Sequence, residues 1–388
     1  MPLRKLIAPA MAEALAALVV VAPAAQAADP ITLNASGSTF IANYIEACKG
    51  GYNATSGNII NYGGGGSGAG KKAFKAGTVD LAMTDSLVGS ADEAPFAWTY
   101  VPVIAGPIAI AVNLPSVTGL NLSADTFANI MAGKITKWND PAIVADNKGT
   151  TTTTTVAKKD KKGKVVKDKK GKVVYITKSK TVGAVKLPAL PISVFYRSDS
   201  SGTSEITTKY LAAASPSVWT KPGNGTFSAA FPGNVPTNGT FQAVAGSDGV
   251  ANGVKSKPGA ITYVEMSYAK ERNLGLVSIK NAAGNFVAPT SAGASAFLNE
   301  FEPGAKGIIT PNYLTKEPGA YPISAFTYAI VRTDGKTPDG KADKVAAVKS
   351  LLTYLTQTCV PLKAEANYYA GLPAPALAVS KSKIADIS

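Results

Sequence analysis

The strongest constraint on the fold is an alternation, over residues 31–85, of short apolar runs with segments of helical period. Ile31-Thr32-Leu33 reads as a strand, and a loop of small residues over 34–40 follows it. Across 40–52, Phe40, Ile41, Tyr44, Ile45 and Cys48 recur at the spacing of one helix face. Residues 58–62 read as a second strand, 63–70 as a flexible turn, 71–76 as a short helix and 79–83 as a buried strand. A βαβαβ order predicts a mostly parallel sheet with its loops gathered at the C-terminal strand ends.

The same grammar returns downstream. Residues 108–113, 192–196, 260–264 and 326–331 read as strands, and 123–132, 266–272 and 344–358 as helices. Another helix, running to about residue 214, follows Arg197-Ser198-Asp199-Ser200-Ser201-Gly202-Thr203-Ser204. We expect an α/β protein of two lobes, each a mostly parallel sheet flanked by helices, joined by a hinge. The first lobe is expected over 28–112 plus about 285–388, the second over about 113–284. The second carries an insertion at about 150–182. There six threonines precede a direct eight-residue repeat, Lys-Asp-Lys-Lys-Gly-Lys-Val-Val, at 159–166 and again at 167–174. Two copies are too few for a solenoid. Thr and Val tracts around Asp-Lys-Lys-Gly turns read as a protruding β-hairpin or a disordered loop, in either case a solvated decoration or a basic patch.

The first 27 residues are read as a signal peptide. Arg4 and Lys5 precede an apolar stretch interrupted by Glu13, and Ala25-Gln26-Ala27 supplies a small-x-small cleavage pattern. The stretch is short for a membrane span, and no cysteine at the cleavage point signals a lipid anchor. The exported chain is expected to begin near Ala28 or Asp29, to be periplasmic or secreted, not membrane-embedded, and monomeric. Cys48 and Cys359 are the two cysteines; a disulfide between them and two buried thiols are both compatible with the sequence.

Histidine is absent from all 388 residues. That excludes Ser-His-Asp triads, Cys-His pairs and histidine-containing zinc centres, and we expect no metal and no cofactor. The net charge of +14 is unevenly placed, because residues 158–180 hold eleven lysines against two aspartates. The remainder is nearly balanced, which does not describe a nucleic-acid-binding body.

Three loops share one chemistry: Gly37-Ser38-Thr39-Phe40, Gly65-Gly66-Ser67-Gly68, and Asp199-Ser200-Ser201-Gly202-Thr203 with Arg197 just before it. Each joins small residues and hydroxyls to a predicted helix start, where free N–H groups and the helix dipole favour an anion. Ordinary helix caps use the same residues, so the weight rests on three loops at strand ends. Arg197 adds a planar, permanently charged fork suited to a tetrahedral oxyanion. Asp85, at the end of the strand over 79–83, brings an acceptor-only carboxylate to the same cleft. It suits an anion that carries a proton, as phosphate does and sulfate at neutral pH does not; a surface or helix-capping aspartate is the plainer alternative. Gly65 to Lys72 nearly fits the nucleotide-binding pattern G-x-x-x-x-G-K-[ST], but Lys72 stands where a hydroxyl is required.

Taken with Asn61-Tyr62, Gly133-Lys-Ile-Thr-Lys-Trp-Asn-Asp140, Pro258-Gly-Ala-Ile-Thr-Tyr-Val-Glu265 and Tyr321-Pro322-Ile323, these segments resemble the periplasmic phosphate-binding proteins of ABC-type phosphate importers. The resemblance covers nearly the whole exported chain outside the Thr/Lys insertion. It implies that Thr39, the Phe40 N–H, Ser67, Asp85, Arg197, Ser201, Gly202 and Thr203 bind inorganic phosphate, with Asp199 orienting Arg197. It further implies hinge closure over the anion, delivery to a membrane permease and no enzymatic activity. A binding protein for another oxyanion and a secreted phosphatase remain as alternatives. The Lys-rich insertion and the additional glycines at Gly63 to Gly66 depart from the family.

Overall fold

The structure, a computed structural model, describes residues 29–149 and 151–388. The expected signal peptide, residues 1–27, lies outside the described residues. Strands Thr32–Gly37, Ile59–Gly64 and Leu81–Thr84 run parallel, with the first between the other two. Helices Ala42–Ser56 and Ser67–Lys75 make the crossovers. Residues 63–70 are not a flexible turn: the second strand continues through Gly64 and the helix begins at Ser67. Gly66, one of the two linking residues, has φ +89°, and a Cβ there would lie 2.2 Å from an Asp199 carboxylate oxygen. Strand and helix can follow each other this closely only because that position lacks a side chain.

The element that organises the molecule is a 15-residue strand, Trp98–Val112, buried along its whole length. The sequence reading catches only its last third, residues 108–112, because Pro102, Gly106 and Pro107 interrupt the apolar run. The sheet accommodates Pro102 at an irregularity: Thr327 faces Ile104 while Tyr328 faces Pro102, so Val103 is the extra residue of a bulge. The first part of the long strand pairs antiparallel with Ser324–Arg332, which borders Leu81–Thr84. Its last part pairs antiparallel with Ala260–Glu265, followed by the parallel strands Ser193–Arg197 and Phe241–Val244. One strand of roughly 50 Å thus runs through both halves of a nine-stranded sheet.

Helix Gly202–Ala214 leaves the end of Ser193–Arg197, and helix Gly246–Ser256 leaves the end of Phe241–Val244. Helix Asp343–Thr353 passes into a wider π-helical segment, Tyr354–Ala364, where sequence predicts a single helix to 358, and the last helix, Ala374–Ala385, follows. Pro361, which has no N–H to donate, sits in that segment. Cys359 in it is disulfide-bonded to Cys48 of helix Ala42–Ser56, with Cα atoms 5.9 Å apart.

The insertion is folded. Thr151–Ala157 and Tyr175–Thr181 pair antiparallel as a hairpin stem at the edge of a second, five-stranded sheet. Thr153 and Thr155 face inward, and the Thr155 hydroxyl donates to the Gly319 carbonyl at 2.6 Å. The stem thereby rests on the body of the protein while its outer strand is exposed.

Candidate anion-binding site

The three loops singled out in the sequence converge at strand ends between the two half-sheets. Contacts cross from one side to the other: Gly68 N–H donates to the Ser200 carbonyl at 3.0 Å, and Gly202 N–H to Ser67 Oγ at 3.3 Å. A Cβ on Gly202 would lie 2.6 Å from Asp85 Cβ and 2.8 Å from Ser67 Oγ, so this approach requires glycine. Helices Ala42–Ser56, Ser67–Lys75 and Gly202–Ala214 all begin at these loops. The positive ends of three backbone dipoles face one small volume.

Asp85 lies buried at the centre, just after Leu81–Thr84. Its Oδ2 accepts from Ser38 Oγ at 2.5 Å and from Ser67 Oγ at 3.4 Å, and its Oδ1 from Thr327 Oγ1 at 2.6 Å. An ionised carboxylate offers about four acceptor positions. Three hydroxyls fill three of them and leave one for a protonated guest. Burial pushes the Asp85 carboxyl above its ordinary range, against the pull of the Ser38 and Thr327 hydrogen bonds, the Arg197 charge and Ser67. The hydroxyl cage is what keeps an aspartate ionisable in so dry a place.

Arg197 ends strand Ser193–Arg197 and is also buried. Its guanidinium is clamped by Asp199, through Nε to Oδ1 at 2.7 Å and a second, shorter bond to Oδ2. Asp199 in turn accepts from the Gly246 N–H at 3.0 Å. Burial raises the Asp199 carboxyl, but the Arg197 hydrogen bond and charge outweigh it and hold it below the usual range. The Arg197 NH1 atom remains directed to Ser247 Oγ at 3.4 Å. Ser201 caps helix Gly202–Ala214 by accepting from Ser204 N–H at 3.2 Å, which leaves its own O–H free to donate. The Thr203 hydroxyl is buried and has no hydrogen-bond partner among the described residues. Such a group costs about 1–3 kcal/mol unless something pairs with it, and at this position the donor is available to an oxygen placed between the loops.

A second layer holds the first loop. Tyr62 OH donates to the Ser38 carbonyl at 2.6 Å, Tyr268 OH to the Thr39 carbonyl at 2.9 Å and Tyr369 OH to the Phe40 carbonyl at 2.6 Å. With those carbonyls occupied, the loop is fixed in place: Ser38 N–H donates to the Met83 carbonyl at 2.8 Å and Phe40 N–H to Ser38 Oγ at 3.0 Å. Tyr369 also reaches Glu265 Oε2 at 3.2 Å; Glu265 is fully buried, and burial pushes its carboxyl up to about 8.

All nine residues named from the sequence for this site lie around this volume. Sequence reasoning missed Thr327, Ser247 and the structural use of Ser38. Ser247 opens helix Gly246–Ser256, and its Oγ lies 2.8 Å from Thr39 Oγ1 across the cleft. Its signal, Ala245-Gly246-Ser247 after a strand, was the same small-residue pattern as the other three loops. Thr327 has no such signal, since it lies inside a strand and reaches Asp85 only because the bulge beside it sets the local register. No group of acidic or cysteine side chains among the described residues is arranged to hold a metal ion.

Comparison with known proteins fits this geometry. A family model described as PBP superfamily domain matches residues 22–358. The phosphate-binding protein PstS 3 of Mycobacterium tuberculosis (strain ATCC 25618 / H37Rv) is 34% identical over 347 residues, covering 83% of this chain and 77% of that protein. The phosphate-binding protein PstS of Methanocaldococcus jannaschii is 31% identical over 363 residues, covering 88% and 83%. Among solved structures, a high-affinity periplasmic phosphate-binding protein bound with phosphate superposes with a TM-score of 0.66 at 21% identity, covering 91% of this chain and 93% of that one. That likeness is one of fold: an α/β architecture of two lobes.

Proposed function

Because this chain belongs to the phosphate-binding proteins of the PBP superfamily, we propose that it captures inorganic phosphate between its lobes and hands it to an ABC-type permease. The observation that carries the reading is Asp85, a buried carboxylate with three hydroxyl donors and room for one more, beside a buried arginine. Phosphate oxygens would be met by the Thr39 hydroxyl, Ser201, Thr203 and the Arg197 guanidinium. The Ser67 hydroxyl and the Phe40 and Gly202 N–H groups would join them once these exchange their partners within the protein, Asp85, Ser38 Oγ and Ser67 Oγ, for the anion. The phosphate O–H would donate to Asp85. Sulfate has no such proton at neutral pH and would set an unpaired oxygen against a carboxylate. Arg197 is already neutralised by Asp199, so the guest is stabilised mainly by oriented dipoles and hydrogen bonds.

The lobes divide at the long strand, which serves as one hinge connection, and closure brings Ser67 and Thr39 against Gly202 and Ser247. The protein acts as an exported monomer in the periplasm. It binds and does not turn over: no histidine is available as a base to activate a serine of the cleft.

Calorimetric titration of phosphate-stripped protein, first with phosphate and then with sulfate at one pH, tests this. We expect 1:1 phosphate binding, no heat with sulfate, and a loss of about a hundredfold in phosphate affinity for Asp85→Asn, as for a lost charge-assisted hydrogen bond. Equal binding of both anions would remove Asp85 as the discriminator. Silence with both would overturn the function.

A further inference from the structure

The lysine-rich tip of the insertion is too well built for a solvated tassel. Residues 158–174 form two leaves of identical design. In the first, Asp160 Oδ1 accepts from the N–H groups of Lys162 at 2.8 Å and Lys164 at 3.0 Å. In the second, Asp168 Oδ1 accepts from Lys170 at 2.8 Å and Lys172 at 2.9 Å. Gly163 and Gly171 turn the two leaves at φ +81° and +78°. The leaves are pinned at their base by a closed ring of backbone bonds. Lys158 N–H donates to Val174, Val166 N–H to Lys158, and Val174 N–H to Val166, at 2.8, 2.8 and 3.0 Å. Residues eight apart in sequence thus hold equivalent places, and the same lysines are presented twice.

None of the lysine side chains over 158–180 makes an ion pair or hydrogen bond among the described residues. Lys158, Lys159, Lys161, Lys162, Lys164, Lys167, Lys169 and Lys170 are all exposed. The aspartates direct an oxygen to the backbone and pair with no lysine, and over 158–174 nine lysines stand against two aspartates, so the leaves keep a dense net positive charge.

We propose that this tip binds a linear polyphosphate, independently of the orthophosphate cleft. The composition selects among polyanions. Residues 158–174 contain no Phe, Tyr or Trp on which a base could stack and no Arg to read one, which argues against nucleic acid. They carry no bulky apolar anchor for a lipid interface, valine being the largest apolar side chain. Lysine alone is a compact point charge, suited to a flexible chain of closely spaced phosphates. A receptor that repeats its unit suits a ligand that repeats its own.

The test uses the whole protein, its cleft saturated with orthophosphate, and long-chain inorganic polyphosphate followed by calorimetry and fluorescence anisotropy. Binding should weaken steeply with added salt, as counterion release requires. The variant Lys161→Gln/Lys162→Gln/Lys169→Gln/Lys170→Gln keeps both turns and should bind about thirtyfold more weakly, as the loss of four exposed charges implies. A second variant, in which Asn-Gly joins Ala157 to Tyr175, should lose polyphosphate binding and keep its orthophosphate affinity. Unchanged polyphosphate binding in both variants would overturn the proposal. So would tighter binding of duplex DNA or phosphatidylglycerol vesicles than of polyphosphate through the same lysines.

Discussion

The cleft and the tip of the insertion both favour anions, and their chemistry is opposite. The cleft has one arginine, already paired with Asp199, and otherwise hydroxyls, backbone N–H groups and a carboxylate. The tip has lysines and little else, none of them paired. Water explains the contrast. In the buried cleft an uncompensated charge would cost several kcal/mol, so the anion is met by many partial charges fixed by the fold. At the exposed tip each charge is cheap to maintain and weak in effect, so many are needed. The first arrangement can select one anion by a single proton; the second can sense only charge density.

The contrast breaks most visibly at Arg197. Arg197→Ala removes the buried guanidinium of the cleft and leaves the half-buried Asp199 without its partner. Phosphate affinity should fall by at least about a thousandfold, in line with the cost of breaking a buried pair. In the unaltered protein that affinity should change little between low and moderate salt, because buried interactions are poorly screened. An affinity that fell with salt as steeply as polyphosphate binding would show that cleft and tip work by the same long-range field.

Glu265 sharpens the comparison through pH, since it is an ionisable group held fully inside the protein behind the cleft. Burial raises its carboxyl from an ordinary 4.5 to about 8, against hydrogen bonds from Ser267 and Tyr369. The folded state therefore holds a proton that the unfolded chain releases. The stabilisation is complete below about pH 4.5 and is lost as pH rises through about 8. Between pH 5.5 and 7.5 this should cost roughly 3 kcal/mol of unfolding free energy, at about 1.4 kcal/mol per unit. Glu265→Gln keeps the amide in place of the protonated acid and should flatten that decline in urea titrations of phosphate-free protein. An unaltered slope would assign the pH dependence to another group.

The cleft was legible in sequence wherever its chemistry is local. Small residues before a helix announce an N-terminal anion site by their own propensities, and three such loops, Arg197 and Asp85 could be read directly. The continuous strand Trp98–Val112 was mostly hidden, because Pro102, Gly106 and Pro107 oppose the local pattern and are tolerated only through the bulge and the ladder's end. The same physics hid Thr327. A threonine within an apolar run, Phe326 to Val331, looks like a strand former, and nothing nearby shows that its hydroxyl faces a carboxylate 242 residues away in sequence. The insertion could be read as basic and repetitive, but its ring of backbone bonds joins positions whose side chains carry no signal of it.

Thr327 gives the smallest and most discriminating effect. Its hydroxyl is the donor to Asp85 Oδ1, at 2.6 Å and in full burial. Thr327→Val keeps the volume and β-branching while removing that donor, so the strand should persist and Asp85 should take up a proton at higher pH. A protonated Asp85 no longer accepts freely from the phosphate O–H. Phosphate affinity should therefore weaken about tenfold, the worth of one hydrogen bond to a charged group, with the deficit growing as pH falls. Thr327→Ser restores the donor and should recover both affinity and pH profile. If Thr327→Val lowered affinity equally at every pH, Thr327 would be packing the cleft floor and not holding Asp85 ready for the phosphate proton.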